Sequence, residues 1–165
     1  MLRYILTFLG VLIAQVLVFN QIQFSGYINP SFYIIFIIIL PISTPAWLRL
    51  LSAFLLGFLV DAFSQSPGLH TSASVLIAFL QPHIILTFQN TEMDENKPSN
   101  LSFLGFQWFI YSSAIMVLLH QSVYFILEVF SFINFLDTLY RIILSSFATF
   151  TVIIISQLII YRKQQ

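Results

Sequence analysis

The chain lacks cysteine and has very little charge. Only 7% of its 165 residues are charged, whereas a soluble domain carries about 25%. The absence of cysteine excludes disulfides, a thiolate nucleophile and Cys-ligated metal. A net charge of +0 provides no basic field for phosphates, which excludes nucleic acid as a partner. Because so few charges cannot cover a soluble enzyme, the composition predicts an integral membrane protein in a lipid bilayer.

What the chain does contain is long apolar runs. It is 59% hydrophobic with a mean hydropathy of +0.95, and a helix needs about 20 apolar residues to cross a bilayer. The runs do not alternate as barrel strands do. They predict an all-α bundle of six transmembrane helices in a single membrane domain, 1–165. The predicted spans are 4–24, 28–43, 46–63, 72–88, 103–130 and 138–161.

Lysine and arginine predict the orientation. With a cytoplasmic N-terminus, five of the six basic residues lie on the inner side and one, Arg141, lies outside. This is the bias of inner loops toward positive charge. The inner residues are Arg3, Arg49, Lys97, Arg162 and Lys163. Both termini and the loop 89–102 are therefore predicted to be cytoplasmic.

Asp61 is an acidic residue within a predicted span. It follows Trp47 by about 14 residues, or about 21 Å of helix rise, which places it in the outer third of the membrane. A helix C-terminus disfavours an anion, so a donor must compensate. Three interpretations stay open: a carboxylate that reaches the outer headgroups, a hydrogen bond that clamps the loop 64–71, or ion or proton transfer.

Small residues four positions apart occur on two predicted helices. Ala53, Gly57 and Asp61 share one face of the third span, and Gly10 and Ala14 share one face of the first. Such faces let a second helix approach closely. Each could serve packing within the bundle or a partner helix, and we predict that the Gly10 face receives a partner.

Polar residues recur at helical spacing on the fifth span. They are Ser113, His120, Gln121, Tyr124 and Glu128. Polar groups in a membrane face the bundle interior or a cavity. The stripe is therefore a hydrogen-bonded interior face, a polar pocket that opens outward, or part of a proton relay that would also need His83.

Sequence spacing favours no catalytic or metal site. The three histidines show no H-x3-H or H-E-x-x-H pattern, and no G-x-S-x-G motif is present. We therefore predict no catalytic residue, no metal and no cofactor, and we expect a protein that is not an enzyme.

Three neighbouring stretches resemble the MreD family of bacterial rod-shape proteins. They are GFLVDAF at 57–63, SPGLHT at 66–71 and LIAFLQP at 76–82. The resemblance implies a non-enzymatic subunit of the inner membrane that binds the bitopic protein MreC. Together the two link MreB filaments to the glycosyltransferase and transpeptidase of the lateral wall.

The resemblance also implies which residues matter. The motif positions, expected to be structural or partner-facing, are Gly57, Asp61, Pro67, Gly68 and His70. The family fold is similar to the substrate-binding subunits of energy-coupling-factor transporters, in which small residues of the first helix meet a coupling protein. Gly10 and Ala14 are placed similarly.

A second function class stays open, a small-molecule-binding transporter subunit with an outward pocket. It predicts convergent charged or hydrogen-bonding groups under the outer loops. The candidates are Asp61, His70, Glu128, Asp137 and Arg141.

Overall fold

The computed structural model describes residues 2–21, 28–88, 95–130 and 135–162. Every regular element in these ranges is helical. In chain order the helices are α1 (Leu2–Leu17), α2 (Ile34–Ile38), α3 (Ala46–Ser64), α4 (Leu69–Phe88), α5 (Leu101–Leu104), α6 (Phe106–Val129) and α7 (Phe135–Arg162), and a 3-10 turn, Phe19–Gln21, follows α1.

Five helices in the described ranges are long and apolar enough to cross a membrane. They are α1 with its 3-10 turn, α3, α4, α6 and α7. Large apolar side chains cover their outer faces, such as Leu2 at 70% exposure, Phe147 at 72% and Leu136 at 80%. Because water does not tolerate so large an apolar surface, the chain is a membrane protein.

Residues 28–43, here named the core segment, differ from the prediction. The sequence predicts a spanning helix there, but only Ile34–Ile38 is α-helical, so a sixth spanning helix is not found in the described ranges. Tyr33, Ile34, Ile37 and Ile38 have no exposed surface. Lipid forces a segment to satisfy its own backbone, but a segment enclosed by protein can take partners from its neighbours.

The helices that enclose the core segment pack in sequence order. The most extensive contacts join α3 to α4, α4 to α6, and α6 to α7. The core segment contacts α1, α4 and α6, and its side chains form the centre of the main apolar cluster. In contrast, α1 buries only Val11 and Gln15.

Some predicted boundaries shift by a few residues. The fourth helix begins at Leu69 rather than at 72, so part of the predicted outer loop 64–71 is helical. The predicted sixth span, 138–161, corresponds to α7, which begins at Phe135. Helix α5 (Leu101–Leu104) begins in the predicted loop 89–102 and ends in the predicted fifth span. Lys163 and residues 89–94 and 131–134 lie outside the described residues.

Candidate functional site

The end of α3 and the start of α4 form a tight corner, here named the α3–α4 corner (residues 57–71). Gly57 lies where the two backbones meet. A Cβ built on it would be 2.6 Å from Thr71 Cα and 2.9 Å from both His70 O and Thr71 N. Because the neighbouring atoms are backbone, they cannot move aside as a flexible side chain would. Only glycine fits this position without a shift of α4.

Asp61 lies one turn after Gly57 on the same face of α3. Its Oδ1 accepts hydrogen bonds from His70 N (3.0 Å), His70 Nδ1 (2.9 Å) and Ser66 Oγ (3.0 Å). Its Oδ2 accepts from Thr71 N (2.9 Å) and Thr71 Oγ1 (2.6 Å). The first N–H groups of a helix have no partner within the helix. Asp61 therefore caps α4 from the neighbouring helix.

The burial of Asp61 distinguishes among its three interpretations. The residue is 5% exposed and His70 is 1% exposed, so the carboxylate is not directed at the headgroups. All five of its contacts lie in residues 66–71, which matches the clamp of the loop 64–71.

The turn inside the corner requires unusual backbone angles. Gln65, the residue after α3, has φ 54°, and Gly68 has φ +83°, a region that favours glycine. Pro67 and Gly68 are exposed. The motif residues thus divide into a buried set, Gly57, Asp61 and His70, and an exposed turn.

Beneath the corner lies a buried polar cluster. Tyr33 Oη is 2.7 Å from His120 Nε2 and accepts a hydrogen bond from Ser74 Oγ at 3.1 Å. Tyr124 Oη accepts from Asn29 Nδ2 at 3.2 Å, and its ring lies 4.5 Å from the His70 ring. The corner, the core segment and α6 therefore meet at one place.

Polar side chains of the surrounding helices bond the backbone of the core segment. Gln15 accepts from Tyr33 N (3.2 Å) and donates to Pro30 O (3.0 Å). Gln121 Nε2 donates to Asn29 O at 3.1 Å. These bonds replace the backbone hydrogen bonds that a regular helix would make within itself. The core segment can therefore be irregular inside the membrane bundle.

The same support continues on α7 and toward the other end of the core segment. Asn29 N donates to Ser145 Oγ and Ser31 N donates to Thr149 Oγ1, each at 3.0 Å. At the far end, Leu40 O accepts from Gln81 Nε2 at 2.8 Å and from Ser99 Oγ at 3.1 Å.

The sequence analysis did not identify several of these supporting residues. They are Gln15, Tyr33, Ser74, Gln81, Ser145 and Thr149. Two signals were available: Gln15 is a polar residue in a run without charge, and Ser145 and Thr149 are four positions apart, on one face of a helix.

The predicted polar stripe of α6 is divided by the structure. His120 and Gln121 have no exposed surface and Tyr124 is 5% exposed, so these three form an interior face with Ser113. Glu128 does not belong to it, because it is exposed near the end of α6 and pairs with Arg141 (Oε2 to Nη1, 2.9 Å). His83 is exposed, so it does not extend the interior cluster as a relay would need.

The arrangement of Asp61, His70 and Ser66 differs from a nucleophilic triad. In a triad the carboxylate contacts one imidazole nitrogen and the serine contacts the other. Here Asp61 Oδ1 and Ser66 Oγ both lie at His70 Nδ1, at 2.9 and 3.0 Å. His70 Nε2 therefore does not contact the serine, so the three groups do not form the relay of a triad. In the described ranges, no group of three potential ligand side chains could hold a metal.

The Gly10 face of α1 is open. No atom lies within 4 Å of a Cβ built on Gly10, which is exposed, and Ala14 is partly buried. Between α1 and α3, on a different side of α1, an apolar cavity of about 660 Å³ is lined by residues that include Tyr4, Phe8 and Leu48. Thus α1 leaves apolar surface unpacked on two sides.

Comparisons of this chain with models of known protein families, with curated proteins and with solved structures find no match.

Proposed function

We propose that this protein is a non-enzymatic membrane scaffold of the rod-shape type, resembling MreD. In this role it binds the membrane helix of an MreC-like bitopic partner. Through that partner it links MreB filaments to the glycosyltransferase and transpeptidase that extend the lateral wall in the bacterial inner membrane. The supporting features are the corner motif and the open face of α1.

The observation that carries the proposal is the sparse packing of α1. Among the five helices of the described ranges that could span a membrane, α1 is the least buried, and its buried residues are Val11 and Gln15. Gly10 is open to close approach, and association of membrane helices depends on such small residues. Among the described residues, no atom lies within 4 Å of a Cβ built on Gly10, so a partner backbone has room to approach there.

The polar groups support a scaffold rather than a transporter subunit. A binding pocket for a polar molecule needs unpaired groups that converge. Asp61 is bonded within the corner, and Glu128 pairs with Arg141. Four of the five groups expected to line an outward pocket thus pair with one another, Asp61 with His70 and Glu128 with Arg141.

We further propose six crossings with both termini in the cytoplasm. Asn20, just after α1, donates to Ser64 at the end of α3 (Nδ2 to Oγ, 2.8 Å). Tyr4 and Leu48, near the starts of these helices, line one cavity, so α1 and α3 run in the same direction. The core segment is then the crossing that brings the chain back between α1 and α3. With five basic residues on one side and one on the other, the side with five, which also carries both termini, is the cytoplasmic side.

Cysteine labelling tests this topology in a background that contains no cysteine. Phe130→Cys is placed at an exposed outer site, 86% exposed, and Asn96→Cys at an exposed inner one. With an impermeant maleimide on intact cells, Phe130→Cys should label and Asn96→Cys should label only after lysis. Labelling of Asn96→Cys in intact cells would contradict the orientation.

Co-purification tests the scaffold itself. Gly10→Leu adds bulk where a partner backbone would approach, so it should reduce recovery of an MreC-like protein from native membranes at least tenfold and make rod-shaped cells round. Ala46→Leu, on an exposed position of α3, is the matched control and should change neither. Neither purified subunit should melt at a lower temperature than the wild type. Full recovery of the partner with Gly10→Leu would reject α1 as the docking helix.

A further inference from the structure

The space between α1 and α3 is closed near one end of the two helices and open near the other. Just beyond α1, Asn20 Nδ2 donates to Ser64 Oγ at the end of α3, at 2.8 Å. Near the starts of both helices lies the apolar cavity of about 660 Å³, whose lining includes Tyr4 and Leu48. With the orientation proposed above, the open part is in the cytoplasmic half of the membrane.

The cavity is as long as one leaflet of a bilayer is thick. Along α3 its lining runs from Pro45 to Leu55, a rise of about 15 Å, and the whole hydrocarbon core is about 30 Å thick. A spanning helix of a partner would need a groove through both halves, but Asn20 and Ser64 close the other half. The length of the cavity therefore matches an acyl chain of one leaflet.

The lining of the cavity changes from apolar to polar toward the membrane surface. Its deeper part is lined by apolar side chains such as Leu9, Phe36 and Leu55, and its inner end includes Ser43 and Thr44. An occupant that matches both parts has an apolar body and a polar end at the surface. Phospholipids are the amphiphiles that a bilayer supplies at this depth.

Arg49 supplies a positive charge beside the polar end of the cavity. Its Nη1 donates to Thr44 O and to Ile42 O, each at the long distance of 3.4 Å, and Thr44 lines the cavity. Arg49 is only 7% exposed, and its Nε has no hydrogen-bond partner among the described residues. No carboxylate in the described ranges pairs with it. Because a buried charge without a counter-ion is costly, we expect an anion at this end.

We propose that the cavity binds one anionic phospholipid of the inner leaflet. An acyl chain lies between α1 and α3, and the phosphate lies at the Thr44 end, where it compensates the charge of Arg49. The lipid would give α1 contacts that its own buried residues, Val11 and Gln15, do not supply. The choice of leaflet rests on the proposed orientation, whereas binding does not depend on the identity of the protein partner.

Photo-crosslinking of the full-length protein in nanodiscs tests the site. The phosphatidylcholine bilayer contains a small fraction of phosphatidylglycerol, or of phosphatidylcholine, with a diazirine on one acyl chain, and adducts are mapped by mass spectrometry. Adducts at Leu48 and Leu55 should saturate with labelled phosphatidylglycerol and be at least fivefold more frequent than with labelled phosphatidylcholine. Phe147, 72% exposed on α7, is the reference for ordinary lipid contact, and its adducts should rise in proportion to either label.

Two serine variants show whether the acyl chain lies in the cavity. Ser52 lines it, and its Oγ bonds the carbonyl of Arg49 one turn earlier. Ser52→Phe fills the cavity and should reduce the adducts at Leu48 and Leu55 at least fivefold. Ser72→Phe is the matched control, because Ser72 is exposed and also bonds a carbonyl one turn earlier. It should leave these adducts unchanged.

Two arginine variants test the headgroup. Arg49→Gln removes the charge and should lower the preference for phosphatidylglycerol from at least fivefold to less than twofold. Arg162→Gln, at the exposed end of α7, removes a charge from the same side of the membrane and should leave the preference unchanged. If Arg49→Gln does not fold, the wild-type ratio of the two lipids and the Ser52→Phe result still decide the proposal.

Three results would overturn the proposal. Equal adducts with the two lipids in the wild type would exclude a site for an anionic headgroup. Adducts at Leu48 that rise in proportion to the label, as at Phe147, would indicate ordinary bilayer lipid. Loss of the cavity adducts when an MreC-like partner is bound would assign the cavity to that partner.

Discussion

The α3–α4 corner and α1 are both built around a glycine, yet the two glycines meet opposite surroundings. At Gly57 a Cβ would collide with backbone at 2.6 Å, and at Gly10 it would meet nothing within 4 Å. The corner is closed by the five hydrogen bonds to Asp61, whereas the buried residues of α1 are Val11 and Gln15 alone. Identical residue types therefore serve internal packing in one place and an open surface in the other.

This contrast shows how a membrane bundle distributes its polar groups. Where the chain must turn or run irregularly inside the protein, the helices supply side-chain donors and acceptors to it. Where a helix faces lipid, its backbone is satisfied within the helix and apolar side chains cover it. The conformation of the corner thus depends on individual hydrogen-bonding side chains, whereas α1 needs only apolar side chains on its outer surface.

The largest expected effect is at Asp61. Asp61→Leu leaves the buried N–H of His70 and the partly buried N–H of Thr71 without their acceptor, at about 1–3 kcal/mol for a buried group. We expect a fall in melting temperature that is large compared with that of Asp61→Asn, which keeps the shape and one acceptor oxygen. Thermal unfolding of the purified variants in detergent measures both. If the melting temperature fell equally in the two variants, the negative charge of Asp61, and not its ability to accept hydrogen bonds, would be what stabilises the corner.

The two glycines provide the next test, because the same change should have opposite signs. Gly57→Ala forces α4 away from α3 and should destabilise by about 1–3 kcal/mol, the usual cost of overpacking. Gly10→Ala removes the backbone entropy of glycine in an open helix and should stabilise by up to about 1 kcal/mol. Denaturant titration of both variants checks the signs. A destabilised Gly10→Ala would mean that its face is packed within the bundle.

Gln15 tests whether α1 contributes anything to the interior. Gln15→Leu removes the partners of Tyr33 N and Pro30 O, and we expect a loss of about 1–3 kcal/mol. Gln21→Leu, after α1 on an exposed position, is the matched control and should change stability by less than about 0.5 kcal/mol. Amide hydrogen exchange should rise at Tyr33 in Gln15→Leu and stay unchanged in the control.

A smaller effect is expected in the exposed turn of the corner. Gly68 has φ +83° with open space around it, so Gly68→Ala meets only backbone strain, about 1 kcal/mol or slightly more. Gly68→Asn should lose less, since asparagine tolerates positive φ better. The melting temperatures of the two variants measure the difference. If both fell equally, the loss of stability would come from side-chain contacts and not from backbone strain.

Composition and the spacing of the charges were sufficient to predict helices in a membrane. Seven per cent charge and runs of apolar residues leave helices as the way to satisfy backbone groups in lipid, and the described part of the chain contains five such helices. Asp61 was also singled out from the sequence, because an acidic residue within a span needs local donors, whereas Pro67 and Gly68 were named through the family resemblance.

The core segment could not be predicted from its own residues. Its run of isoleucines matches a spanning helix by hydropathy, but its conformation depends on Gln15, Gln121, Ser145 and Thr149, which lie far away in the sequence. Likewise, nothing local separates Gly57 from Gly10. Hydropathy measures the solvent that a residue prefers, whereas backbone pairing inside the bundle and the space beside a glycine are properties of its neighbours, which only the tertiary structure brings together.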